Sequence, residues 1–259
     1  MIGRPNTVKQ KLQAGETALG MVCRTLSPAV VELIGLAGFD YVWIDMEHTS
    51  ADFGLVENLC RAADAADVCS LVRVPEKHPS YILRALESGA GIVNVPQVEN
   101  RSDTECVVRA AKYYPLGERG YCSSSRGTVY GMNGKAADSF AAANERVLVM
   151  TQIESLRGVE NAEDICSVPG VDIVFIGVGD LSQSLGCIGQ FDHPDLLGCV
   201  RKVLGCIKES GKIAAMQAES LESARRWHSE GVLMFCCGVD ITALGRTLKV
   251  TRQEFGVLR

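Results

Sequence analysis

The chain has 259 residues, 47% of them hydrophobic, and a formal net charge of −5. That length fits one large core of the size found in α/β barrels. The interspersed charges offer neither the basic stripe that nucleic acid binding needs nor a polybasic arm for an anionic membrane.

No apolar run approaches the ~20 residues needed to cross a bilayer. The N-terminal MIGRPNTVKQKLQAGE lacks the apolar stretch of a signal peptide, so a cytoplasmic protein acting on small molecules is expected. The 11 cysteines are odd in number and show no CxxC spacing, which fits buried reduced thiols better than a disulfide framework or a zinc knuckle. Several, Cys237 among them, lie in apolar runs and are expected to be buried; Cys122, in a polar loop, is the one expected at the surface.

Taken in order, apolar segments of strand length alternate with amphipathic or alanine-rich segments of helix length. Strand 19–24 precedes helix 28–37, strand 41–45 precedes helix 53–66, strand 70–74 precedes helix 79–88, and strand 91–96 precedes helix 102–113. Strand 147–154 precedes helix 158–167, strand 172–176 follows, and strand 212–217 sits between helices 194–210 and 221–230. The last strand is 233–237. Ser27, Asp52 and Ser220 are placed to cap helices, while Gly38, Gly89, Gly211 and Gly231 are placed to end them.

Eight strands with helices between them predict a (β/α)8 barrel, a single domain over residues 1–259, because the last strand can close on the first and leave no edge. Residues 113–144, rich in Gly and Ser, break the rhythm and are expected to form a long loop. The segment after Thr242 is expected to be an additional C-terminal helix that seals the barrel or reaches a neighbouring subunit.

The chemistry of such a barrel lies at the carboxyl ends of its strands, and those ends carry unusual groups. The run VLVMTQIES becomes polar only at its tip, where Gln152 and Glu154 share a face with Leu148 and Met150. YVWIDMEH places Asp45, Glu47 and His48 past an apolar run, SLVRVP embeds Arg73 between valines, and IVFIGVGDLS presents Asp180.

Glu154 and Asp180 come from neighbouring strands and would repel each other without a cation or proton between them. A hard divalent ion, Mg²⁺ or Mn²⁺ with Co²⁺ as a third candidate, suits two carboxylates with water and substrate in the other positions. The bland alternative is that each acid caps the helix that follows it.

Arg73 could pair with Asp45 or Glu154, or clamp a substrate oxyanion. His48, three residues beyond Asp45, could be a capping residue or a general base oriented by a nearby acid. The backbone N–H groups of GVG before Asp180 could hold a carboxylate. No lysine stands at the catalytic end of a strand, so metal rather than imine chemistry is expected.

The motifs IDMEH, LVRVP, PLGERG, QIES and FIGVGDLSQSLG, in this order, resemble the HpcH/HpaI family of class II, metal-dependent pyruvate aldolases from the first strand to about residue 240. The resemblance implies a carbon–carbon lyase that cleaves a 4-hydroxy-2-oxo acid to pyruvate and an aldehyde through a metal-stabilised pyruvate enolate. It implies Glu154 and Asp180 as metal ligands, with Gln152, Val178 and Gly179 beside the substrate. Arg73 would steady the enolate oxygen, and His48 with Asp45 would handle the proton.

The resemblance further implies that Glu87 reaches an adjacent subunit's site, in a hexamer built as a trimer of dimers with exchanged C-terminal helices. The family usually has glycine at Met46, proline at Val178 and an apolar residue near Gln217, so the aldehyde pocket is expected to differ. An acyl-CoA lyase of the citrate lyase beta or malyl-CoA lyase type, or a non-catalytic binding barrel, are the alternative readings.

Overall fold

The structure, a computed structural model, describes residues 3, 5–132 and 136–258. Its strands are β1 Ala18–Cys23, β2 Tyr41–Asp45, β3 Cys69–Arg73, β4 Ile92–Val95, β5 Leu148–Ile153, β6 Ile173–Ile176, β7 Ile213–Gln217 and β8 Val232–Val239. All neighbouring pairs are parallel, and β8 closes on β1. The barrel therefore has no unpaired edge.

The helices are α1 Thr7–Gln13, α2 Pro28–Leu36, α3 Phe53–Ala65, α4 Pro79–Glu87, α5 Arg101–Ala111, α6 Ala136–Arg146, α7 Leu156–Glu160, α8 Ala162–Ser167, α9 Val178–Ser184, α10 Pro194–Glu209, α11 Leu221–Ser229 and α12 Asp240–Glu254. None of the described helices is long and apolar enough to cross a membrane.

Period-two alternation sorts the strand side chains into two cores. Leu148 and Met150 of β5 point inward with Trp43, Leu71, Ile92, Phe175 and Met234, and α1 stops the amino-terminal mouth with Val8 and Leu12. Val147, Val149 and Ile153 point outward into the larger layer between strands and helices. Asp52 and Ser220 cap α3 and α11 by accepting Leu55 N–H and Ser223 N–H, whereas Ser27 makes no side-chain cap to α2. The proline at the first turn of α2 already presets the backbone there.

Three expectations are corrected. Residues 113–144 are not one loop: they contain the 3₁₀ turn Arg126–Gly131 and most of α6, with 133–135 outside the described residues. Helix 158–167 is two short helices, α7 and α8, meeting at Asn161. Cys237 is exposed although its neighbour Cys236 is buried, because the two point to opposite sides of β8. Cys122 is exposed as expected, and all the cysteines are free.

Candidate active site

The carboxyl ends of the strands enclose a cavity of about 140 Å³ whose wall includes Arg24, His48, Arg73, Gln152, Gly177 to Asp180 and Gln217. Its floor is aromatic: Trp43 and Phe175 meet edge to face at 4.9 Å, and the Arg73 guanidinium lies 5.2 Å from the Trp43 ring.

Strand register builds the charged side of the site. Asp45 pairs with Arg73 across β2 and β3, and Arg73 pairs with Asn94 across β3 and β4. Arg73 Nε donates to Asp45 Oδ1 at 2.9 Å and Nη2 to Oδ2 at 2.7 Å, a bidentate pair with both partners buried. Arg73 Nη1 lies 3.0 Å from Glu47 Oε2, and Arg24 Nε adds a third donor to Asp45 at 3.1 Å.

Burial alone would raise the Asp45 carboxyl, but the hydrogen bonds and charge of Arg73, helped by Arg24, hold it below the usual carboxylate range. Burial also disfavours the Arg73 charge, yet Asp45, Glu47 and Glu154 together raise its pKa. Arg73 is therefore a locked cation with one edge on the cavity.

Glu154 has the opposite character. Burial, with repulsion from Glu47 and Asp180, pushes its carboxyl up to about 7 against the stabilising bonds it accepts. Those bonds come from Gln97 N–H at 2.7 Å and from Gln152 Nε2. Gln97 adopts the left-handed region at φ 56 to aim its N–H at the carboxylate. Gly177 is required beside it: a Cβ there would sit 2.7 Å from Glu154 Cβ and 2.9 Å from Oε2.

The capping alternative fails for both acids. Ser155, not Glu154, caps α7 by accepting Gly158 N–H at 3.1 Å. The following helix begins at Val178 with Gly177 as its cap, which places Asp180 inside its first turn and facing the cavity. Glu154 is a buried carboxylate with no capping duty, which a hard cation would relieve, while Asp180 is exposed to the cavity and open to ligation.

The donors are all oxygen, and among the described residues no group of three His, Cys, Asp or Glu side chains could hold a metal alone. Glu154 and Asp180 therefore fit a divalent ion whose other positions belong to water and substrate. Glu154 is not on the cavity wall, and a cation bound at its Oε2 must displace the Gln152 amide.

His48, Arg73, Gln152, Val178, Gly179 and Asp180 are thus gathered around one cavity, with Asp45 and Glu154 immediately behind it. The His48 ring is not held by Asp45: Asp45 accepts the backbone N–H of His48 at 3.4 Å, and the acid beside His48 Nε2 is Glu47 at 3.7 Å. Glu87 lies elsewhere, at the end of α4, where it accepts from Arg119 at 2.9 Å and lines a separate cavity with Ser124 and Arg126.

Of the unusual positions, Val178 and Gln217 are on the wall of the site, whereas Met46 is buried in the outer core. Arg24 and Glu47 join the site without an assigned role; both stand at strand tips, which was the available signal. Asp240 was also unassigned. It holds the backbone N–H groups of Arg24 and Thr25 at 2.8 and 3.1 Å, tying α12 to the mouth.

A closed parallel barrel with an arginine, a histidine and displaced carboxylates at its strand tips belongs to the class of (β/α)8 enzymes. The profile of the HpcH/HpaI aldolase/citrate lyase family matches residues 19–246, and the chain belongs to that family.

Proteins named 5-keto-4-deoxy-D-glucarate aldolase from Klebsiella pneumoniae and Escherichia coli K12 are 33% and 32% identical over 237 residues, covering 92% of this chain and 91% of theirs. The solved HpcH/HpaI aldolase/citrate lyase family protein from Burkholderia cenocepacia superposes with a TM-score of 0.90 at 33% identity, covering 96% of this chain and 98% of that one. The citrate synthase SbnG superposes with a TM-score of 0.87 at 30% identity, covering 95% and 96%.

Proposed function

We propose that residues 1–259 form one catalytic unit, a class II aldolase that reversibly cleaves a 4-hydroxy-2-oxo acid to pyruvate and an aldehyde. The single observation that carries the reading is the contrast between Glu154, a buried carboxyl pushed up to about 7 just behind the cavity wall, and Arg73, a buried cation held by Asp45 and Glu47 on that wall. The first suits a cation, the second a developing oxyanion.

Bound at Glu154 and Asp180, a divalent ion such as Mg²⁺ or Mn²⁺ would polarise the substrate ketone as a Lewis acid. The N–H groups of Val178 and Gly179 receive the substrate carboxylate, and Gln152 positions the ketone. Arg73, held by Asp45 and Glu47, faces the oxygen on which enolate charge grows. His48 Nε2 takes the proton from the C4 hydroxyl, the C3–C4 bond breaks, the aldehyde leaves, and the protonated His48 returns its proton to C3 of the enolate to give pyruvate. Glu47 orients the imidazole.

Lysine chemistry has no support from geometry. Lys112 is buried outside the cavity and donates to Asn144 O at 3.0 Å and Val147 O at 2.6 Å. His48→Ala should lower pyruvate C3 exchange at least ~100-fold, the scale of a lost general base. Mn²⁺ affinity should stay within about twofold, because His48 is not a ligand in this reading. Unchanged exchange, followed by NMR, would remove His48 from the mechanism. The likeness to a citrate synthase favours a second reading, an acyl-CoA lyase in which an acyl-CoA thioester supplies the enolate that adds to a carbonyl acceptor; turnover of CoA esters in place of pyruvate would establish it.

We place the protein in the cytoplasm, in keeping with free cysteines throughout. We also read it as a homo-oligomer, a trimer of dimers in which α12 is exchanged and Glu87 serves the neighbouring site. Ile241, Leu244 and Leu248 form an exposed apolar stripe on α12, continued by Phe255. Leu244→Glu with Leu248→Glu should reduce the particle to a smaller assembly in light scattering, and an unchanged mass would refute this role for α12.

A further inference from the structure

The catalytic cavity is continued on the β7 side. A second cavity of about 310 Å³ lies against α10 and α11, and Val178 and Gln217 stand on the walls of both. These two side chains are the partition between the cavities. Gln217 ends β7, is exposed, and among the described residues its amide has no hydrogen-bond partner. It is free to donate to and accept from a ligand passing from one cavity to the other.

The second cavity is one-sided in charge. Asp192, Glu219 and Glu222 line it against a single guanidinium, Arg226. Arg226 is already engaged, 3.2 Å from Asp192 and 4.0 Å from Glu230. Burial, together with the charge of Asp192, raises the Glu219 carboxyl, which fits a region that resists further negative charge. The guanidiniums of the catalytic cavity, Arg24 and Arg73, are held by Asp45 and Glu47.

We infer that this second cavity is the subsite for the aldehyde half of the substrate, and that Gln217, Glu219 and Glu222 select a neutral, hydroxylated chain over one ending in a carboxylate. Hydroxyl groups can both donate to the carboxylates and exchange hydrogen bonds with the Gln217 amide. A terminal carboxylate can only accept, and meets like charge. The inference rests on the aldolase reading and specifies its acceptor.

The test uses the full-length protein with Mn²⁺ in the synthetic direction, where pyruvate C3 forms a bond to the aldehyde carbon and the aldehyde oxygen takes a proton. D-glyceraldehyde and tartronate semialdehyde are matched acceptors that differ only in a terminal CH2OH or carboxylate. The wild type should favour glyceraldehyde at least ~10-fold in kcat/KM, a difference within reach of one unfavourable charge contact.

Glu219→Gln with Glu222→Gln should shrink that preference at least about fivefold by raising the rate with tartronate semialdehyde. Pyruvate C3 exchange without acceptor should be unchanged in this variant. Gln217→Leu should lower kcat/KM for glyceraldehyde about tenfold. Equal or better use of tartronate semialdehyde by the wild type, or a preference unmoved in the double variant with exchange intact, would overturn the inference. Absence of exchange in the wild type would overturn the aldolase reading itself, and this inference with it.

Discussion

Glu154→Gln should make the metal-free protein more stable at pH 8 while abolishing its metal-dependent chemistry. The Glu154 carboxyl titrates near 4.5 when unfolded and at about 7 when folded. The folded state therefore holds this proton more tightly, and stability falls as pH rises from the unfolded to the folded value. Above that window the full penalty for an ionised buried carboxylate remains, about 3 kcal/mol.

Glutamine removes the charge without emptying the site. Its amide can be accommodated because Asn94 Nδ2 donates to Gln152 Oε1 at 3.0 Å while Asn94 Oδ1 is buried without a partner. Rotating both amides reverses the direction of donation along the chain, so that Gln152 Nε2 donates to Asn94 Oδ1 and Gln152 Oε1 accepts from the new amide. Chemical denaturation of wild type and variant from pH 4.5 to 8 should show a gap opening with pH toward ~3 kcal/mol. Mn²⁺ binding by the wild type should strengthen about tenfold per pH unit below pH 7 and level off above it. A variant less stable than wild type at pH 8 would show that Glu154 is not a strained carboxylate.

Arg73→Ala should fail twice, in activity and in folding. It removes both hydrogen bonds to Asp45, a fully buried side chain, and the nearest cation to Glu47. Breaking a buried pair from one side costs about 3–5 kcal/mol. Arg24, still on Asp45 Oδ2, holds the loss toward the lower end. The melting temperature should drop by about 10 °C. Adding Asp45→Asn should restore part of the stability, since the fully buried carboxylate is then neutral although Glu47 still lacks its cation, but none of the pyruvate exchange. Recovery of exchange in the double variant would show that Arg73 serves the fold alone.

Much of this architecture was legible because the strands are short, apolar and bounded by strong turn residues. β5 is the clearest case: its alternation placed Gln152 and Glu154 on the inward face, and the structure puts Leu148 and Met150 of that face inside the barrel. Short elements defeated the same reasoning. Helix α1 shows only Val8 and Leu12 as buried positions, too few for a helical period to register. Helix α6 lies in a stretch whose glycines and serines argued for a loop, although alanine and acidic residues favour a helix locally.

The site was less legible than the fold because pairing across strands depends on register. Nothing local says that Arg73 takes Asp45 with two hydrogen bonds, or that the acid beside His48 Nε2 is its sequence neighbour Glu47. The second cavity was equally hidden, since Val178 and Gln217 meet only when β6 and β7 are aligned.

The most direct test is hydrogen–deuterium exchange at pyruvate C3, followed by NMR with metal-free protein and again after adding Mn²⁺ or Mg²⁺. Exchange that requires the added ion, vanishes in Glu154→Gln and rises with pH toward 7 is the predicted result. Folded wild-type protein that binds the ion and catalyses no exchange would contradict the account.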